Sequence, residues 1–170
     1  MVGRILVADH NGVYILKFVG DVRVVLCATV DDYLRQMFDD REFKSVLVDL
    51  SETEGIDSTS LGILAKLSIQ ADRRFSFVPT LVSTRPDITR ILLTMGFDDV
   101  FNIIQKPLKH ASQLAELPKL AVGNQRFLRE RVLEAHRILM SMNDQNRETF
   151  KDLVVALESE GDANPSPRAA

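Results

Sequence analysis

The chain has 170 residues, an apolar fraction of 45% and a formal net charge of −3. That length suits one domain with an appendage, and the apolar share supports a packed core. The charge excludes the basic footprint of direct nucleic-acid binding. The single cysteine, Cys27, excludes an intrachain disulfide and suits a reducing cytosol.

In chain order, Met1-Val2-Gly3-Arg4 lacks the apolar segment of a signal peptide, and no apolar run reaches membrane-spanning length, so a soluble cytoplasmic protein is expected. Arg4–Ala8 predicts a first strand. Asn11-Gly12 is a strong hairpin signal, and Val13–Val19 resumes as the second strand, ended by Gly20-Asp21-Val22. Thr29–Phe38 predicts a helix with Val30, Leu34, Met37 and Phe38 on one face, Thr29 as its cap, and Asp31 and Asp32 complementing the dipole of the first turn. Val46-Leu47-Val48 reads as a buried strand within Ser45–Leu50. The chain then turns polar through Ser51–Gly55 and enters a helix patterned on Leu61, Leu64 and Leu67 that runs to about Asp72.

Pro79–Ser83 predicts the next strand. Arg85-Pro86-Asp87 leads into a helix with Ile88, Ile91, Leu92 and Met95 on one face and Gly96 just past its end. Val100–Ile104 predicts the last strand, and Pro107–Ala111 the start of a further helix with Ala111, Leu114 and Ala115 inward. Strands alternating with helices after an initial hairpin imply an α/β domain with a mixed, mostly parallel sheet, helices packed against it, and right-handed crossovers.

The polar loop ahead of the second predicted helix concentrates the chemistry. Asp49, Ser51, Asp57, Ser58 and Gly62 stand in the pattern D-x-S-x-x-x-x-x-D-S-x-x-x-G. The plainer reading of Asp57-Ser58-Thr59-Ser60 is that one of them caps the helix. The whole pattern, however, resembles the signature of STAS domains, best known in bacterial anti-anti-sigma factors, and Ile91–Phe101 resembles the stretch before that family's last strand. The resemblance covers residues 1–117. It implies a STAS-like fold and makes Ser58, directly after Asp57, the phosphoacceptor. It also implies a docking surface made by Asp21, Asp57, Ser58, Thr59, Ser60 and Leu61. Arg23 stands where the family often carries an Asp. A receiver fold would want an acidic cluster after the first strand, and only Asp9 follows Ala8.

Residues 118–160 change character. Gln125 to Glu160 holds no Gly or Pro, and Leu128, Val132, Ala135, Leu139, Met142, Asn146, Thr149 and Leu153 step by fours and threes. One long helix or a helical hairpin is expected, broken near Ser141–Asn146. It packs either on its own domain or against a second copy as a homodimer, with Asn146 a register-setting residue in the second case. Residues 161–170 read as a disordered tail.

Nothing in the pattern supports catalysis. His10, His110 and His136 lack metal-ligand spacing and read as surface residues; Cys27 reads as a small buried hydrophobe. No phosphate-cradling loop or nucleophile elbow occurs, and no cofactor is expected. The resemblance therefore implies a phosphorylation-controlled binding module, an anti-sigma factor antagonist. Its partners would be an anti-sigma factor of the serine-kinase type and a metal-dependent serine phosphatase, alone or within a response regulator. A constitutive subunit of a membrane transporter, with Ser58 only a cap, and a scaffold acting through the C-terminal helices are the alternatives.

Overall fold

The computed structural model describes residues 1–109 and 113–163, with the backbone alone for 162 and 163. β1 (Arg4–His10) and β2 (Val13–Val22) form an antiparallel hairpin. Asn11 and Gly12 both take positive φ, 51° and 87°, as the two-residue turn that matches strand twist requires. A 3-10 turn over Val24–Leu26 leads into α1 (Cys27–Asp39). β3 (Ser45–Asp49) and β4 (Thr53–Ile56) then precede α2 (Ser58–Phe75). β5 (Thr80–Val82), α3 (Pro86–Thr94) and β6 (Asn102–Ile104) complete the alternating part. β7 (Ala115–Glu116), α4 (Gln125–Met142) and α5 (Asp144–Ala163) follow.

The strand order is β6-β5-β3-β2-β1-β7, with β4 also paired to β2. The β2–β3, β2–β4, β3–β5 and β5–β6 ladders are parallel; β1 runs antiparallel to both neighbours. The sheet is therefore mixed and mostly parallel, as expected. β2 is its centre and carries Leu16 and Phe18 into the core, where Val48, Leu64, Leu67, Leu81 and Leu92 meet them.

Three elements differ from the sequence reading. α1 begins two residues before Thr29, behind the 3-10 turn, so Thr29 is not its cap; Thr29 Oγ1 instead accepts the Leu120 N–H at 3.0 Å. Asp31 is not a solvated dipole partner but is buried, paired with Lys66 at 3.1 Å and with Arg131. The short β4 grows from the polar loop because β2 extends past Gly20, with a register shift at Gly20/Asp21, and offers it a free edge. The helix expected from Pro107 is replaced, in its described part, by irregular chain and then β7. The open edge of β1 takes Ala115 and Glu116 into antiparallel pairing, and Leu117 N–H donates to Ile5 O at 2.9 Å. Ala111 lies outside the described residues.

The C-terminal segment is a helical hairpin folded onto its own domain. Leu139 and Phe150 join the main core, and Ala135 lies against α2. The chain breaks at Asn143, whose side chain accepts the Asn146 N–H at 2.8 Å and caps α5. That restart resets the helical phase. The buried face continues as Asn146, Phe150 and Val154, while the expected Thr149 and Leu153 face solvent. Asn146 is 1% exposed, and its amide donates to Met95 O at 2.9 Å and Leu139 O at 3.0 Å. α5 extends through residues 161–163 of the segment read as tail; the remainder lies outside the described residues.

Replacing Asn146 by Ala leaves two carbonyls without that donor, and a buried polar group left unpaired costs about 1–3 kcal/mol. Urea unfolding of Asn146→Ala is expected to show that loss, with hydrogen exchange rising first in α5.

Candidate functional site: the start of the second long helix

The site is assembled where β2 and β4 end together. Asp21 and Val22 pair with Gly55 and Ile56, and Asp57 N–H donates to Val22 O at 3.1 Å. The chain then turns into α2 with Asp57 as its N-cap in extended conformation. Asp57 Oδ1 accepts the Ser60 N–H at 2.8 Å, and Oδ2 accepts the Val24 N–H at 2.7 Å. One carboxylate thus satisfies one free amide at each of two helix starts, that of α2 and that of the 3-10 turn ahead of α1.

Because Asp57 does the capping, Ser58 does not. Ser58 is the first residue of α2, half-buried, and its hydroxyl meets His136 Nε2 at 2.8 Å. His136 Nδ1 lies 2.6 Å from Val132 O on its own helix. A carbonyl only accepts, so Nδ1 carries the proton. In the neutral ring Nε2 is then an acceptor, and Ser58 donates to it. The ring is 2% exposed and stands edge-on to Phe150, with centroids 5.0 Å apart.

Thr59 and Ser60, the neighbouring hydroxyls, are both buried, and Ser60 Oγ reaches Val22 O only at 3.5 Å. Leu61 is 1% exposed and belongs to the core. Asp21 lies at the same end of the sheet, held by Arg23 Nε at 2.9 Å in an exposed ion pair. Arg23, the departure from the family pattern, thus neutralises the acidic group beside it. Cys27 lies beneath, 2% exposed. Burial, helped by the Asp57 charge, pushes its thiol up to about 12.

His136 is the residue that sequence reading placed wrongly. It is not a surface residue, because α4 folds back along α2 and turns that face inward. Its position was the available signal: it follows Val132 by four and precedes Leu139 by three, on the flank of the apolar stripe. His10 is exposed, and His110 lies outside the described residues. Among the described residues no cluster of three or more His, Cys, Asp or Glu side chains is placed to hold a metal ion, and no helix is long and apolar enough to cross a membrane.

Residues 4–110 match the STAS domain family, well over half of the chain. The chain belongs to the STAS domain family. The protein is also similar to the anti-sigma-F factor antagonist RsfB of Mycobacterium tuberculosis, in strains CDC 1551 and H37Rv. Identity is 30% over 100 residues, spanning 58% of this chain and 79% of RsfB. In this STAS domain the Asp57-Ser58 pair sits at the start of α2. The family match ends before α4, so His136 and the hairpin that carries it lie outside the matched span.

Asp57→Ala removes both caps and is expected to lower stability by about 1–3 kcal/mol in urea unfolding. Asp57→Asn should recover only part of that loss, since its amide nitrogen turns a donor toward one of the two N–H groups. Cys27 should resist Ellman's reagent at mildly alkaline pH in the native protein and react on unfolding. Its raised thiol pKa means that the stabilisation present below the ordinary thiol value is lost as pH climbs from there toward about 12.

Proposed function

We propose that this STAS-domain protein is an anti-sigma factor antagonist that works as a phosphorylation-controlled switch. The face around Ser58 docks an anti-sigma factor of the serine-kinase type; phosphorylation of Ser58 releases it, and a metal-dependent serine phosphatase resets it. The similarity to RsfB, itself named an anti-sigma-F factor antagonist, supports the class of partner.

The observation that carries the Ser58 assignment is the division of labour at the helix start. Asp57 takes the capping role for α2, which leaves the Ser58 hydroxyl unused by the sheet and by α1. Of the three successive hydroxyls, Ser58 is half-buried while Thr59 and Ser60 are buried. A phosphoryl group there adds roughly −1.5 to −2 charges beside the Asp57 carboxylate. The first turn of α2 tolerates that charge through its dipole, so the domain stays folded. A partner surface fitted to a neutral hydroxyl meets a dianion instead, and desolvating it costs several kcal/mol unless an Arg or Lys receives it.

The test is binding of a purified anti-sigma factor of the serine-kinase type to wild type, Ser58→Ala and Ser58→Asp. Wild type and Ser58→Ala should bind, and Ser58→Asp should bind at least about tenfold more weakly. Equal binding by all three would make Ser58 a structural contact and favour a constitutive subunit. A phosphosite map with phosphate only on Thr59 or Ser60 would overturn the residue assignment.

A further inference from the structure

We propose that the α4–α5 hairpin is an internal competitor for the Ser58 face. It stays docked only while Ser58 carries a free hydroxyl, and it must leave before a protein partner or a phosphoryl group occupies that face. The proposal deepens the switch reading above, and its partner-binding part rests on that reading; the exclusion between hairpin and phosphoryl group does not.

The contact leaves no slack. His136 Nε2 lies 2.8 Å from Ser58 Oγ. The ring cannot retreat, because Nδ1 is tied to Val132 O at 2.6 Å and Phe150 backs it edge-on. One turn further along α2, a Cβ built on Gly62 would stand 2.4 Å from Ala135 O and 2.6 Å from Ala135 Cβ. All three of its nearest atoms belong to Ala135, so α4 rides directly on the glycine. A phosphoryl group brings three oxygens into this space and removes the proton that Ser58 donates. In the transfer the γ-phosphoryl of ATP forms a bond to Ser58 Oγ, the bond to the β-phosphate oxygen breaks, ADP departs, and the hydroxyl proton passes to a base of the kinase. The dianion that predominates at neutral pH has no hydrogen to give to Nε2, and the Asp57 carboxylate beside it adds like charge.

The hold of the hairpin on the domain combines the apolar burial of Leu139 and Phe150 with a set of polar contacts that single charge changes can break. Arg131 pairs with Asp31, Glu134 meets Lys66 at 2.5 Å, and Lys66 in turn holds Asp31. At the far end Asn146 holds Met95 O. The hairpin also lies beyond the residues that match the family, an addition laid over a face the domain would otherwise present. A partner that needs the open form binds with an affinity reduced by the open fraction, so a hairpin open one part in a hundred would weaken it about hundredfold.

The experiment uses hydrogen–deuterium exchange on the full chain in four forms: wild type, the chain bearing phosphoserine at position 58, Gly62→Leu, and the double variant Arg131→Glu with Glu134→Arg. Gly62→Leu wedges α4 away without touching Ser58; the double variant reverses the ion pairs from the hairpin side, so a folding failure of one leaves the other. Exchange across α4 and α5 should rise about tenfold or more in the last three forms, the scale of a lost buried polar contact, with β2 and β3 still protected. Unchanged protection of the hairpin in the phosphoserine chain would overturn the proposal. Anti-sigma factor affinity should rise in Gly62→Leu and in the double variant. If exchange rises but neither variant binds an anti-sigma factor, the exclusion stands and the antagonist reading falls.

Discussion

The carboxylate of Asp57 is the constraint on which this arrangement depends. A helix start leaves its first amides without partners, and a buried amide without a partner is costly. Here two helix starts converge on one side chain, which accepts from Ser60 for α2 and from Val24 for the turn that leads into α1. The parallel ladder between β2 and β4 brings them together, since it delivers Val22 and Asp57 to the same place. The position of α1, the direction of α2 and the release of the Ser58 hydroxyl from capping all follow from that shared acceptor.

A second constraint ties α1 and α2 to the appended hairpin. Asp31 is buried on α1, and a buried carboxylate needs cationic partners. One, Lys66, comes from α2; the other, Arg131, comes from the appended α4. Arg131 lies over the Phe127 ring as well, its guanidinium 4.7 Å from the centroid. The hairpin is thus held by Leu139 and Phe150 in the core, by polar groups at Asp31 and Asn146, and by a close helix–helix approach at Gly62. Small residues at a crossing allow such an approach; polar contacts around it give it a defined position.

Much of the fold was legible because hydrophobic period and turn chemistry agree. The hairpin at Asn11-Gly12, the buried run before Asp49 and the apolar face of α3 each carry a local signal that tertiary packing does not override. The elements that were not legible are those created by pairing. β4 and β7 are short and polar, and exist because β2 and β1 offer them open edges. Thr29 and Asp31 looked like cap and dipole partners from sequence, since nothing local reveals that a linker amide and two distant cations will reach them. At the site, Asp57 and Ser58 were recognisable from their spacing, but which of them caps the helix was not. His136 was missed for a plain reason: a lone histidine in an amphipathic helix carries no mark of what will pack against it. The phase change at Asn143 hid in the same way. A continuous heptad rhythm gives no sign that the helix will stop and restart, and the restart is what moves Thr149 and Leu153 into solvent.

The order in which these pieces are made has its own meaning. Ser58 and the imidazole that holds it are 78 residues apart. Domains emerge from the ribosome N-terminal part first and begin to fold as they do. During synthesis β1 to β3, α1 and α2 therefore emerge before α4 does, and the Ser58 face is bare for that interval. Every newly made copy passes once through an uncovered state, whatever the later equilibrium of the hairpin. The nascent chain and the completed chain are in that respect different reagents toward anything that recognises this face.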